Sequence, residues 1–307
     1  DRTKSRGLGD VYKRQDFITN FNESFDRIAL VKYAYGAEVP VAFQSSRGHS
    51  RSDITTEIDA FDFGSLSSLQ YTNSSEGIYL ALDALRNVTD PANLKVIVFF
   101  TDGAPNTFAS EFDFVGTSTN YTGAIRSSDE SSGTPRGLWY HDAIATQLPG
   151  SGYEGSDIDD YIAELPDYYT AHSASATEFN VLNPSHPDRP VTQYNPSTHS
   201  ANDLYIRVNR VARNLLEDIA TAARGEDIYV FTLGLGSSLT SSTGPDNEQG
   251  EDLLMRMAND PRMLDDADLA GDFRADQLQG VYCHAVDEEA LGPCFDEMLD
   301  VIIRLTL

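Results

Sequence analysis

The stretch KVIVFFTDGAPN, residues 95–106, is the most informative part of the sequence about the fold. A short run of β-branched and aromatic residues ends abruptly on Thr101, Asp102 and Gly103. Such a run predicts a strand buried on both faces of a parallel sheet, and open parallel sheets bind ligands at the carboxyl ends of their strands. Asp102 therefore falls where a ligand site is expected. Asp-Gly is also a common turn dipeptide, so a plain turn is the alternative.

Apolar strands alternate with amphipathic helices along most of the remaining chain. Strands are expected at residues 28–35, 96–100, 228–235 and 279–286, and helices at 16–25, 53–61, 71–88, 203–225, 251–260 and 288–303. Gly225 is expected to be the C-terminal glycine of its helix. Strands separated by helices predict a doubly wound α/β fold, whose mainly parallel sheet is covered by helices on both faces.

Residues 105–202 interrupt this pattern and are interpreted as a long insertion. The segment is rich in Ser, Thr, Gly, Pro, Asp and Tyr, with weak helical patches at residues 143–147 and 157–165. Long loops in compact domains are often functional, and this one directly follows Asp102. We expect it to shape or cover the ligand surface, with Tyr161, Tyr168 and Tyr169 making contacts. A simple surface elaboration is the alternative.

The charge balance excludes some classes of partner. The chain has 48 acidic and 22 basic residues and a formal net charge of −26. A nucleic-acid phosphate backbone requires a basic face, so nucleic-acid binding is not expected, and neither is adhesion to an anionic membrane surface. The charge is compatible with cation binding or with simple solubility. No apolar run approaches the ~18 residues that span a bilayer.

The two ends of the chain raise separate questions. The chain begins on Asp1 rather than Met, and GLGDVYKRQ, residues 7–15, resembles a foreign linker, so residues 1–15 are expected to be non-native or a remnant. Cys283 and Cys294 lie close in sequence. They form either a disulfide in an oxidising compartment or two buried thiols in a reducing one, and they lack the further ligands of a zinc site.

Four segments together resemble the von Willebrand factor A (vWA) domain. They are RIALVKYAYGAEV, YTNSSEGIYLALDAL, KVIVFFTDGAPN and DIYVFTLGLG, and they stand in the family's order and spacing. The resemblance covers residues 16–307 as one domain, interrupted by the insertion. The final segment, GVYCHAVDEEALGPCFDEMLDVIIRLTL, is similar to the TadG-like branch of the family, which is associated with bacterial Flp pilus assembly.

The resemblance implies a metal-ion-dependent adhesion site made of three loops. Thr72 matches the Thr of the second loop and Asp102 the Asp of the third, while Gly103 lets the chain turn. Hydroxyl and carboxylate oxygens suit Mg²⁺, Mn²⁺ or Ca²⁺. Because few carboxylates bind such an ion directly, it attracts an acidic residue of a protein partner.

The first loop of that site departs from the family pattern. The family has a D-x-S-x-S motif after its central strand, and this sequence has no apolar strand followed by such a motif. Asp1, Thr3 and Ser5 have the spacing, but no strand precedes them. We therefore expect the first central strand to be missing, which would leave a gap in the middle of the sheet.

The expected function is a non-enzymatic, extracytoplasmic protein-binding module with a metal-dependent adhesion site. It would serve pilus assembly or cell-surface attachment and be anchored through an N-terminal membrane segment outside this chain. The alternative is a metal-free scaffold in the envelope or pilus. A metal-dependent phosphohydrolase would need further carboxylates at neighbouring strand ends, and the sequence has none at residues 32–36 or 232–236.

Overall fold

The computed structural model describes residues 17–60, 71–90, 92–148 and 158–306. The strands are β1 (Leu30–Tyr33), β2 (Ala37–Val41), β3 (Lys95–Thr101), β4 (Thr107–Asp113), β5 (Asn120–Arg126), β6 (Arg136–Trp139), β7 (Ile228–Leu235), β8 (Ser242–Thr243), β9 (Glu248–Gln249) and β10 (Tyr282–Ala285). The helices are α1 (Arg51–Asp59), α2 (Ser74–Arg86), α3 (Ala201–Gly225), α4 (Gly250–Ala258) and α5 (Leu291–Thr306). None of the described helices is long and apolar enough to cross a membrane.

A parallel three-stranded sheet in the order β10–β7–β3 forms the centre of the fold, which confirms the α/β class. β7 lies in the middle and pairs in parallel with both neighbours. Alternate residues point to opposite faces of the sheet. Val230 joins the core shared with α2, α3 and α4, whereas Phe231 joins the core shared with α5. Helices therefore cover both faces.

β3 differs from the strand that the sequence predicts. Its Ile97 and Phe99 are buried, but Val96, Val98 and Phe100 are only half-buried, so the expectation of burial on both faces is wrong. The reason is that β3 is an edge strand of the described sheet, so its side chains are packed by fewer neighbours than those of the central strand β7. A cleft of about 2470 Å³ lies next to this edge.

β1 and β2 form a separate antiparallel hairpin on the other side of that cleft. The expected strand at residues 28–35 is shorter than predicted, and β2 was not predicted. α2 approaches β1 closely, because a Cβ on Gly77 would lie 2.6 Å from Cδ1 of Tyr33. In the described part of the chain the expected gap in the sheet therefore lies between β1 and β3. Asp1, Thr3 and Ser5 lie outside the described residues.

The insertion is more regular than its composition suggests. β4, β5 and β6 form an antiparallel sheet, with Thr107 opposite Arg126 at one end of the first pair and Asp113 opposite Asn120 at the other. Its buried side chains pack against α3. The helical patches expected at residues 143–147 and 157–165 are wrong for the described residues: the first has bends and a β-bridge between Gln147 and Trp139, and the second contains only a 3₁₀ turn, Ile158–Asp160.

A buried network of ion pairs joins the insertion to α3, β9 and α4. Glu217 on α3 lies 2.8 Å from Arg189 of the insertion and 2.7 Å from Arg256 of α4. Glu248 on β9 pairs with the same two arginines and with the fully buried Arg213. Burial alone would raise the pKa of Glu217, but the charges of Arg189 and Arg256 outweigh it and hold the pKa at about 2.

Three smaller expectations have clear outcomes. Cys283 and Cys294 form a disulfide that joins β10 to α5, with their Cα atoms 5.5 Å apart. α3 ends at Gly225, as predicted, but the left-handed conformation that follows the helix belongs to Asp227. Of the helix expected at residues 16–25, only 17–19 are helical among the described residues, and turns follow them.

Candidate functional site

The structure places Thr72 and Asp102 at the same edge of the sheet, where β3 ends. Thr72 stands just before α2, whose N-cap is Asn73, and Asp102 is the exposed residue directly after β3. A Cβ on Gly103 would lie 3.4 Å from the Thr72 hydroxyl oxygen, so the two loops meet. Both residues line the cleft beside β3.

Local hydrogen bonds fix the loop that presents Asp102. The Thr101 hydroxyl donates to the carbonyl oxygen of Gly103 at 2.9 Å, and the Gly103 amide donates back to that hydroxyl at 3.3 Å. The Ser238 hydroxyl, from the turn after β7, donates to the carbonyl oxygen of Asp102 at 2.6 Å. These contacts hold the backbone of Asp102 and leave its side chain at the surface.

Asn106 holds the loops of the site together, a role that was not predicted from the sequence. Its buried side-chain oxygen, Oδ1, accepts a hydrogen bond from the backbone amide of Thr72 at 2.9 Å. The backbone amide of Asn106 donates to the carbonyl oxygen of Thr72 at 3.2 Å. Its side-chain nitrogen donates to Oδ1 of Asp129 at 3.2 Å. Asn106 therefore positions Thr72 and a carboxylate of the insertion at once.

Asp129 is the second carboxylate of the site and was also missed. It lines the same cleft as Asp102. Desolvation raises the pKa of Asp129, as do the charges of Glu130 and Asp102, while the hydrogen bond from Asn106 and the charge of Arg213 act in the opposite direction. Because Asp129 lies 27 residues after Asp102 within the insertion, no local sequence pattern could have connected the two.

The side-chain oxygens at this site are of the chemical type that hard divalent cations bind. They are the Thr72 hydroxyl and the carboxylates of Asp102 and Asp129, all oxygens of the type that Mg²⁺, Mn²⁺ and Ca²⁺ prefer. Across residues 17–60, 71–90, 92–148 and 158–306, no three His, Cys, Asp or Glu side chains cluster closely enough to hold a metal ion. A cation here would depend on the hydroxyl and on oxygens from water or a partner.

Side chains of the insertion contact the first turn of α2, the helix that begins just after Thr72. Glu76, fully buried in the first turn of α2, accepts a hydrogen bond from the Tyr169 hydroxyl and lies 2.5 Å from Nε2 of His172. The His172 ring stacks on Tyr79, with 4.5 Å between ring centroids. Burial raises the pKa of Tyr169 well above its ordinary value, and the charge of Glu76 raises it further.

The expected ligand contacts of the insertion tyrosines are wrong for Tyr169, because its side chain is buried against Glu76. Tyr161 is half-buried and packs against the core near Phe114. Tyr168 is half-buried and forms a β-bridge with Asn180. These tyrosines therefore contribute mainly to the packing of the insertion itself.

A model of the von Willebrand factor type A domain matches residues 1–122 of the chain. The matched part contains Thr72 and Asp102, as well as Asp1, Thr3 and Ser5. It ends in β5, so most of the insertion and everything from α3 onward lie outside it. No curated protein matches this chain in sequence.

Several solved structures are similar to this chain at low sequence identity. The pilus adhesin SpaC from Lactobacillus rhamnosus GG is 13% identical with a TM-score of 0.50, over 97% of this chain and 28% of SpaC. The adhesive tip pilin GBS104 from Group B Streptococcus agalactiae is 11% identical with a TM-score of 0.47, over 98% and 93% of the two chains. Proximal thread matrix protein 1 from the mussel byssus is 10% identical with a TM-score of 0.43, over 97% and 41%. The chain thus spans less than a third of SpaC, and this likeness concerns the fold alone.

Proposed function

We propose that the chain is a non-enzymatic, adhesion-type module that binds a protein ligand through a divalent cation at the carboxyl end of β3. The observation that carries this proposal is that the loops of Thr72, Asp102 and Asp129 meet beside the end of β3, where Asn106 hydrogen-bonds to both Thr72 and Asp129. The ligand would supply an acidic residue.

The chemistry of the donors explains why the ligand would be acidic. Thr72 contributes a neutral oxygen, and Asp102 and Asp129 contribute one negative charge each when ionised. Together the two carboxylates balance the charge of a bound Mg²⁺, but with Thr72 they supply only part of the octahedral set of oxygens that the ion requires, so positions remain for water or for a carboxylate oxygen of the ligand. Asn106 would keep Thr72 and Asp129 in place for binding, since it hydrogen-bonds to both.

The setting of the proposed site is extracytoplasmic. The disulfide between Cys283 and Cys294 favours an oxidising compartment. The family match over residues 1–122 and the name of SpaC as a pilus adhesin agree with attachment at a cell surface. Membership of the TadG-like branch, a role in pilus assembly and an N-terminal membrane anchor form part of the same proposal.

Calorimetric titration with Mg²⁺ and Mn²⁺ tests the site. Asp102→Ala should weaken binding at least about tenfold, because it removes an exposed charge aimed at the cation. Asp129→Asn should weaken it several-fold. Asp113→Ala, which removes an exposed carboxylate at the end of β4, is the matched control and should bind like the unmodified chain. Equal heats for the unmodified chain and Asp102→Ala would overturn the proposal and favour the metal-free scaffold.

A further inference from the structure

A second, smaller pocket of about 300 Å³ lies beside the proposed cation site, on the side of the insertion. Tyr71 and Ser128 line both this pocket and the cleft. Tyr71 directly precedes Thr72 in the chain, and Ser128 directly precedes Asp129. The two cavities therefore meet next to the residues that are proposed to hold the cation.

Two arginines, Arg126 and Arg136, line this smaller cavity, which we call the arginine pocket. They stand directly opposite each other where β5 pairs with β6. Like charges in that position repel each other. Neither arginine forms an ion pair with a carboxylate in the part of the chain that the structure describes. A negative group from outside the chain would compensate the repulsion.

Arg126 is held in an orientation that suits a carboxylate ligand. Its guanidinium carbon lies 3.5 Å from the ring centroid of Tyr71, so the planar group stacks on that ring. Nη1 donates a long hydrogen bond of 3.4 Å to the carbonyl oxygen of Ser127, and the side chain also hydrogen-bonds to Tyr35. A guanidinium that stacks through its face presents its N–H groups at its edge, where a carboxylate binds in a bidentate manner.

The electrostatic surroundings of Arg126 favour an anion. Burial lowers the pKa of Arg126, Tyr71 and Tyr35 act in the opposite direction, and the charge of Arg136 lowers it further. The guanidinium is thus partly desolvated beside a second positive charge. Because the whole chain has a formal net charge of −26, an acidic ligand is attracted only where positive charge is gathered. The arginine pocket is such a place, beside a site whose ligand is expected to be acidic.

The opposite wall of the arginine pocket is fixed before a ligand binds. The Tyr205 hydroxyl on α3 donates to the carbonyl oxygen of Glu130 at 2.9 Å and lies 2.7 Å from Oγ of Ser128. A Cβ on Gly133 would lie 2.9 Å from Cε2 of Tyr205, so the loop packs this closely on the ring only because residue 133 is Gly. A wall that is already ordered loses little entropy when a ligand binds.

We propose that the arginine pocket binds a second carboxylate of the acidic protein ligand, next to the one that approaches the cation. The inference rests on the proposed function for the nature of the ligand, but the pocket itself needs no cation. Since the two cavities share Tyr71 and Ser128, the two acidic residues lie within about three positions of each other in an extended ligand segment. Arg126 and Arg136 thus select a segment with several acidic residues over one with a single acidic residue.

The test uses the whole chain and three synthetic peptides with blocked termini. The first has a central Asp with a Glu two positions before it and another two positions after it, in a background of Gly and Ser. The second replaces both Glu residues by Gln, and the third replaces the Asp by Asn. NMR of ¹⁵N-labelled arginine side chains follows binding with Mg²⁺ and with EDTA. The first peptide should shift the Arg126 and Arg136 signals and bind about tenfold more tightly than the second.

Variants locate the second carboxylate on the arginines. Arg136→Gln removes an exposed charge, and Arg126→Lys keeps the charge but loses the planar fork. Each should reduce the preference for the Glu-containing peptide to about threefold or less. Arg274→Gln is the matched control, because Arg274 is exposed and lines neither cavity, and the preference should not change. Urea denaturation of Arg136→Gln should show no loss of stability, which separates a binding role from a structural one.

The outcomes separate this inference from the proposed function. Binding that requires Mg²⁺ and the central Asp but ignores the Glu residues would leave the proposed function intact and overturn the inference. A preference for the Glu residues that persists in EDTA and is lost in Arg136→Gln would support the pocket even if Mg²⁺ had no effect. Arginine signals that respond to inorganic phosphate and to none of the peptides, or to neither, would overturn the assignment of a carboxylate ligand.

Discussion

The two sides of the molecule differ in which kinds of side chain they bury: one buries charged groups, and the other leaves apolar groups exposed. One side consists of the insertion together with α3 and α4, and there ionic groups such as Arg213 and Glu217 are buried in a network of ion pairs. On the side of the cleft, aliphatic residues such as Val286 and Ile303 are exposed. A chain normally gains stability by burying apolar groups and leaving charges in water. The contrast indicates that the insertion side contributes more to the stability of the fold than the cleft side does.

Glu217→Ala should have the largest effect on the insertion side. It leaves Arg189 and Arg256 with one carboxylate fewer in a buried position, so the free energy of unfolding should fall by about 4 kcal/mol. Urea denaturation measures the change. Glu226→Ala is the matched control, because it breaks a partly exposed ion pair with Arg86 and should cost less than about 1 kcal/mol. Equal costs would contradict the larger contribution that we assign to the buried ion pairs.

Acid should destabilise the fold through the same residue. The pKa of Glu217 is lowered from its ordinary 4.5 to about 2, so its contribution is present in full above pH 4.5 and disappears as the pH falls toward 2. This shift corresponds to about 3 kcal/mol. Urea denaturation across this range should show the loss, and Glu217→Gln should show a flatter dependence on pH. A Gln variant with the unchanged acid dependence would assign the effect to other groups.

Removal of the disulfide should have a smaller effect. The double variant Cys283→Ala and Cys294→Ala should lower the free energy of unfolding by about 2 to 3 kcal/mol, because the unfolded chain regains the freedom of a short loop. Hydrogen exchange should show faster exchange in α5, which forms one wall of the cleft, and unchanged exchange in α3. Equal acceleration in both helices would mean that the two sides unfold as one unit.

Ile303→Ala should have almost no effect on stability. Its side chain is 47% exposed in the cleft, so truncation should change the free energy of unfolding by less than about 0.5 kcal/mol. Ile302→Ala is the neighbouring comparison: that side chain is buried in the α5 core, and its truncation should cost about 2 to 3 kcal/mol. A large cost at Ile303 would show that the cleft is closed in solution.

Elements with a regular apolar pattern could be predicted from the sequence, whether that pattern was a continuous run or had the period of a helix, and elements without one could not. The strand at residues 228–235 was predicted at its observed bounds, because nearly every residue of β7 is buried. The strands of the insertion were missed. In β4, Ser110 and Thr107 are buried beside Phe108 and Phe112, and such a mixture has no clear apolar period. Their burial depends on α3, which lies far along the chain.

The candidate site divides in the same way. Thr72 and Asp102 could be predicted, because each lies at the boundary of an element that the local pattern defines. Asn106 and Asp129 could not, since their roles come from a hydrogen bond between two distant loops. The half-burial of β3 was missed for a similar reason. An apolar pattern predicts which residues form a strand, but it does not predict whether another strand pairs with each of its edges.

The bond between Cys283 and Cys294 also determines how the chain would respond to a pulling force. Load applied at the end of α5 passes through Cys294 directly into β10. The residues between the two cysteines carry none of that tension. At about 3.5 Å per extended residue, the 11-residue separation corresponds to roughly 40 Å of chain that cannot extend under force until the disulfide is reduced. β10 then transmits the force along its length, where the ladder with β7 is loaded in shear.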